Sequence, residues 1–200
     1  EVEREYTRPV MSSFHAMWSL GAGIGAGLGS LLAYYEVAYK NHFSLTSIII
    51  FFVALSVAFV PFKSQKNKKV TKSPFISIPK GPLLPVAIIT FFASLSEGAV
   101  ADWSAIFLKS VASLNDGSAA LGFTVFSVCM FSMRLMGDRI SFKLGPSNAA
   151  RYSGLVALTG SIILLISNSF LLLLLGFGFI GLGIAVIIPL AFSRAGNDKN

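Results

Sequence analysis

The sequence has 200 residues, 54% of them hydrophobic and only 12% charged, with a mean hydropathy of +0.73. Soluble domains carry about a quarter charged residues, and their helices show polar faces; most of the long apolar runs here show none, which argues against an ordinary soluble domain. The net charge of +7 lies in short polar stretches between the runs, not in basic helix stripes interleaved with aromatics, so no nucleic acid partner is expected.

The first polar stretch runs from Glu1 to about Ser12. It opens Glu1-Val2-Glu3-Arg4-Glu5, with neither an initiator Met nor the basic start of a signal peptide, so the expectation is a segment of a longer chain. The first span is predicted at about 13–35 and contains SLGAGIGAGLGSLLAYY. Gly21, Gly25 and Gly29 share one helical face, and small residues four apart let membrane helices approach closely. Gly23 and Gly27 lie on another face. His15 sits near the start of this span with Trp18 one turn later. A histidine there can bind a substrate, titrate near neutral pH or simply make an interhelical hydrogen bond.

After a polar turn from Glu36 to Ser44, a second span is predicted at about 45–62, ending at Pro61. A linker, 63–82, carries Lys63, Lys66, Lys68, Lys69, Lys72 and Lys80. The third span, about 83–108, is interrupted by Glu97 near its middle and by Asp102. An intramembrane carboxylate is costly, so it should face other helices or a water-filled cavity. At 100° per residue the two acids are about 140° apart and need not pair. Glu97 is a candidate for substrate contact or proton coupling, and Asp102 a weaker one; a buried hydrogen bond locking two helices is the alternative. Trp103 reads either as a binding residue or as an anchor at the membrane surface.

Lys109 to Ser118 is a polar link with Asp116-Gly117 as its turn signal. The fourth span is predicted at about 119–137, followed by a basic stretch through Arg151. Arg134 and Asp138 are four apart and can face each other at one helix end. With Arg139 they suggest either a latch between helices or anchoring to lipid headgroups. From Tyr152 to Phe192 the chain is almost wholly apolar. One helix of that length would be about 60 Å, twice the hydrocarbon thickness, so a turn is predicted at Ser167-Asn168-Ser169. That gives a short fifth span at about 152–167 and a sixth at about 170–192.

Six spans place the N-terminus, the 63–82 linker, the 137–151 stretch and the C-terminus on one side. That side holds Arg4, Arg8, the six linker lysines, Arg134, Arg139, Lys143, Arg151, Arg194 and Lys199; the other holds Lys40 and Lys109. This accounts for all 16 Lys and Arg residues, 14 against 2. By the positive-inside rule, both ends are cytoplasmic.

Chemistry-bearing motifs are absent: there is no GxSxG, HExxH, P-loop or Rossmann fingerprint. The lone Cys129 gives no disulfide framework, and with His15 and His42 far apart no metal site is signalled. An enzyme is not expected, and neither is a cofactor.

Four stretches carry a resemblance: VEREYTRPVMSSFHAMWSLGAGIGAGLG (2–29), EGAVADWSAIFL (97–108), MRLMGDRISFKLG (133–145) and GLGIAVIIPLAFSRAG (181–196). They resemble the major facilitator superfamily, and most closely a poorly characterised bacterial inner-membrane branch related to sugar permeases and drug exporters. The resemblance implies an all-α polytopic membrane protein with a partial major-facilitator fold, its six transmembrane helices matching helices 5 to 10 of twelve. Residues 1–62 would then end the N-terminal six-helix bundle, 63–82 would be the central cytoplasmic loop, and 83–200 would start the C-terminal bundle. Arg134, Gly137, Asp138, Arg139 and Gly145 fall on the family's gating loop motif. Asp138 and Arg139 match its acidic–basic core, but Arg134 stands where the family usually has Gly.

The function implied is secondary active transport of a small-molecule substrate by alternating access in the bacterial inner membrane; from its position within the third span, Glu97 is the candidate to carry a coupled proton. The implied partners are membrane lipid, the substrate and the missing helices of the same polypeptide; the segment alone should be inactive. Sugar, organic anion and drug all fit as substrates. A channel-like or receptor-like protein, a structural membrane protein and, least well, a soluble helical binding domain are the competing classes.

Overall fold

The computed structural model describes residues 11–60 and 79–197. Most of the basic linker, the N-terminal stretch with Arg4 and Arg8, and Lys199 lie outside the described residues. Among the described residues every regular element is a helix: α1 (Met11–Tyr34), α2 (Tyr39–Ala58), α3 (Leu83–Ala112), α4 (Asp116–Leu144), α5 (Pro146–Ile166), α6 (Phe170–Ile184) and α7 (Ile187–Asn197). The last two belong to one broken span, so six segments are long and apolar enough to cross a membrane. The protein is an all-α polytopic membrane protein.

Many hydroxyls inside these helices are satisfied as a lipid solvent demands. Thr46, Ser56, Thr90, Ser96, Ser132 and Thr159 each donate to the carbonyl four residues back in their own helix. Their hydroxyls need no water and no partner helix.

The helix ends differ from the sequence reading in ways local chemistry explains. α2 starts at Tyr39, taking Lys40-Asn41-His42 into its first turns. The link between α3 and α4 turns at Ser113, whose φ is 51°, not at Asp116-Gly117. Asn115 caps α4 by accepting from the Ser118 N–H at 2.8 Å. Asp116 in the first turn complements the positive helix end and pairs with Lys109. α4 then runs on through Leu144, so Asp138 and Arg139 are helical. It stops at Gly145, whose φ of 76° is easy only for glycine. Pro146, at the first position of α5, restarts the helix. The resulting 21 residues of α5 reach about 31 Å, long enough to match the hydrocarbon thickness of a bilayer.

The sixth span is broken. α6 ends at Ile184 and α7 begins at Ile187. The cause is Pro189: it has no N–H to give the Ala185 carbonyl four residues back, and its ring pushes against that carbonyl.

α1 and α4 pack antiparallel along their whole length. Ser12 meets Gly137, Gly23 meets Ser127, Gly27 meets Thr124 and Ser30 donates to the Gly117 carbonyl. The buried stripe of α1 is Ser12, Ala16, Ser19, Gly23 and Ser30, all small. A Cβ at Gly117 would stand 2.9 Å from the backbone of Tyr34, and one at Gly137 would stand 2.7 Å from Ser12 Oγ. The expected packing face, that of Gly21, Gly25 and Gly29, is not the one turned toward α4. A Cβ at Gly21 or Gly25 would meet no described atom within 4 Å, and Gly29 only approaches the His42 ring at 3.9 Å. Gly23 and Gly27 make the approach because they lie on the small-residue stripe that also carries Ser12, Ala16 and Ser19.

The apolar core lies between α3, α4 and α6. Val100 and Leu108, Phe126 and Met130, and Leu173, Phe177 and Ile180 fill it. Phe107 meets Phe177 edge to face, with centroids 6.1 Å apart. α2 buries none of its residues within the described part of the chain.

Candidate functional site

The α1–α4 seam and the α3–α4–α6 core meet at Arg134, one of the largest fully buried side chains, with 1% exposure. Its guanidinium touches three other helical segments. Nε donates to the Ala185 carbonyl, at the break in the sixth span, at 3.1 Å. Nη1 donates to the His15 carbonyl at 3.1 Å and to Ser19 Oγ, both on α1. Nη2 faces Glu97 Oε2 on α3 at 3.4 Å.

Glu97 lies at the middle of α3, so the pair sits within the spans, and Arg134, counted above with the cytoplasmic charges, is buried between helices instead. An unpaired buried charge is strongly unfavourable, and the partner offsets that cost. The pair is unequal in access: the Arg134 side chain is 1% exposed and that of Glu97 is 23% exposed. Arg134 is the fully buried member of the pair and Glu97 the partly exposed one.

The other residues singled out from sequence divide around this cluster. His15 is half-buried; its carbonyl accepts from Arg134 and its ring packs 5.7 Å from Phe192 of α7. Asp102 is exposed and stands outside the cluster. Trp18 and Trp103 are also exposed. Arg134 does not serve as one half of a helix-end latch with Asp138. One turn deeper than Asp138, its fork is taken up by Glu97, Ser19 and two carbonyls. Gly137 is buried against Ser12, Asp138 is half-buried, Arg139 is exposed, and Gly145 ends the helix.

Ser19 and Ala185 went unnoticed in the sequence. Pro189 is the signal for Ala185, because a proline inside an apolar span leaves the carbonyl four residues earlier without its donor. Ser104, seven residues beyond Glu97 on the same face of α3, is 2% exposed. Its hydroxyl has no hydrogen-bond partner among the described residues.

A cavity of about 320 Å³ opens between the start of α3 and α7, lined by Leu83, Val86, Thr90, Ala191 and Phe192. Thr90 shares the α3 face of Glu97, two turns toward the linker. The lining is apolar, since the Thr90 hydroxyl donates to the Val86 carbonyl at 2.7 Å. No group of three or more His, Cys, Asp or Glu side chains suited to a metal ion occurs among the described residues.

The Major Facilitator Superfamily sequence model matches residues 3–200. The chain is 35% identical over 198 residues to a Sinorhizobium fredii protein named "Uncharacterized transporter y4wD", covering 99% of this chain and 52% of that one. It is 29% identical over 197 residues to an "Uncharacterized MFS-type transporter" of Yersinia pestis, covering 98% of this chain and 51% of the relative. The "Membrane protein MosC" of Rhizobium meliloti is 34% identical over 113 residues, 56% of this chain and 28% of that protein. The chain thus spans about half the length of the first two relatives. No solved structure gives a significant match. With an all-helical, six-span architecture and a family match over nearly its whole length, the chain belongs to the major facilitator superfamily.

Proposed function

We propose that this chain is the central part of a secondary transporter that moves a small solute across a bacterial inner membrane by alternating access. The observation that carries the reading is the Glu97–Arg134 pair at mid-span, held where α1, α3, α4 and the break in the sixth span meet. A binding or coupling site near the bilayer midplane, beside a discontinuous helix, is an arrangement many alternating-access transporters share. On this reading α1 and α2 end one helical bundle, α3 onward starts the second, and residues 63–82 join them on the cytoplasmic side. Helices missing from this chain complete both bundles, which accords with relatives about twice its length.

Glu97 is the proton-exchanging carboxylate. Ionised, it is held by Arg134; protonated, it loses the Coulombic part of that hold. The cavity on the same face of α3 provides the approach from the linker side. Asp102 and the exposed Trp18 and Trp103 stand outside this chemistry. Asp138 and Arg139 are assigned to gating at the cytoplasmic end of α4.

The test is proton-driven solute flux by the full-length protein in liposomes. Glu97→Gln is expected to reduce pH-gradient-driven transport at least about tenfold, a loss of ~1.4 kcal/mol or more in the transport barrier. The variant should still elute as a folded, monodisperse species. Unchanged pH-driven flux in Glu97→Gln removes the coupling role. Flux without saturation in the parent protein favours a channel instead.

A further inference from the structure

We propose that Arg134 is a positioning residue that couples Glu97 to the proline break in the sixth span. The inference deepens the transport reading and rests on it for the role of Glu97.

Pro189 leaves the Ala185 carbonyl without the N–H that an unbroken helix would supply. Ala185 is fully buried, so water cannot replace that donor. Arg134 replaces it: Nε donates to the orphaned carbonyl at 3.1 Å. This carbonyl also lies at the C-terminal end of α6, where the helix dipole concentrates negative partial charge. The guanidinium therefore serves two negative partners, a helix end through Nε and a carboxylate through Nη2.

The two are mechanically joined because the guanidinium is planar and rigid. It cannot rotate toward one partner without altering its bond to the other. Its Nη1 bonds to His15 and Ser19 bring α1 into the same linkage. When Glu97 is charged it draws the cation toward α3. When Glu97 is neutral that pull is lost and the cation settles on the end of α6, tightening the cap on the break. The state of one carboxylate thereby sets the bend between α6 and α7.

The measurement uses full-length protein in lipid nanodiscs, with Cys129 replaced and spin labels on cysteines at Leu171 and Arg194. Both positions are exposed and flank the break. In the parent background, Glu97→Gln is expected to shift the mean label distance by on the order of 2 Å, the scale of helix shifts in switching proteins. The shift should vanish in Arg134→Met. It should also vanish in Pro189→Ala, which returns an N–H to Ala185. Arg134→Lys keeps the charge without the fork and should restore only part of the response. A merely structural role for Arg134 would change the resting distance but not its response to Glu97.

The proposal is overturned if Glu97→Gln leaves the distance unchanged, or if its shift persists in Arg134→Met. Should Arg134→Met not fold, persistence of the shift in Pro189→Ala overturns it equally. The readout needs no transport. A distance response without solute flux refutes the transport reading alone; loss of pH-driven flux in Glu97→Gln without a distance response refutes this coupling alone.

Discussion

Glu97 and Arg134 are 37 positions apart in sequence, on neighbouring antiparallel helices. Each is conspicuous as a charge within an apolar run, but nothing local says that they meet. The helical repeat places Glu97, Ser104 and Leu108 on one face of α3; only packing shows that this face meets α4. Arg134 and Asp138 satisfy the spacing rule for a helical pair, yet burial sends Arg134 inward to three other helical segments. Ser104 yields a prediction at this scale. Its buried hydroxyl makes no hydrogen bond with the described residues, and leaving such a group unsatisfied costs about 1–3 kcal/mol. Ser104→Ala is expected to leave stability unchanged or raise it by about 1 kcal/mol, read as a thermal shift of detergent-solubilised protein. A marked fall in stability would show that the hydroxyl has a partner that the present contacts do not include.

At the scale of elements, the α1–α4 seam is decided by atoms that are missing. Gly117 lets α4 start against the Tyr34 backbone, while Gly21 lies where nothing described would touch a side chain. Gly117→Ala must displace a backbone contact and is expected to destabilise by about 1–3 kcal/mol. Gly21→Ala is expected to stay within about 0.5 kcal/mol of the parent. Thermal unfolding of the two variants side by side checks this contrast. A large cost at Gly21 would mean that a helix from outside these 200 residues packs on that face. The five alternating glycines reveal a small-residue helix without specifying its rotation, which follows from the fit to α4. Break points were no more legible: the fourth span was expected to end near 137 and the sixth to run unbroken over 170–192, yet Gly145-Pro146 and Pro189 set the breaks by local sterics, and the Asp116-Gly117 turn signal yielded to capping by Asn115.

For the whole molecule, the distribution of charge makes the strongest prediction. With Cys129 replaced, single cysteines at Lys40 and Lys109 should react with a membrane-impermeant maleimide in intact cells. Cysteines at Lys143 and Arg194 should react only after permeabilisation. All four positions are exposed, so access reports sidedness and not burial; the reverse pattern would invert the proposed topology. α2 is predominantly apolar beyond its first turns and buries none of its residues within the described part of the chain.

The six crossings and the membrane setting were determined by sequence, because transfer of apolar side chains into lipid is summed locally along the chain. The family could likewise be read from contiguous stretches such as EGAVADWSAIFL. Which helix faces meet was decided only in three dimensions. Every span here is apolar nearly all round, so hydrophobicity leaves its rotation open, and steric fit and the need to pair buried charge close it. That is why Arg134 came to stand between Glu97 and the carbonyl that Pro189 leaves open.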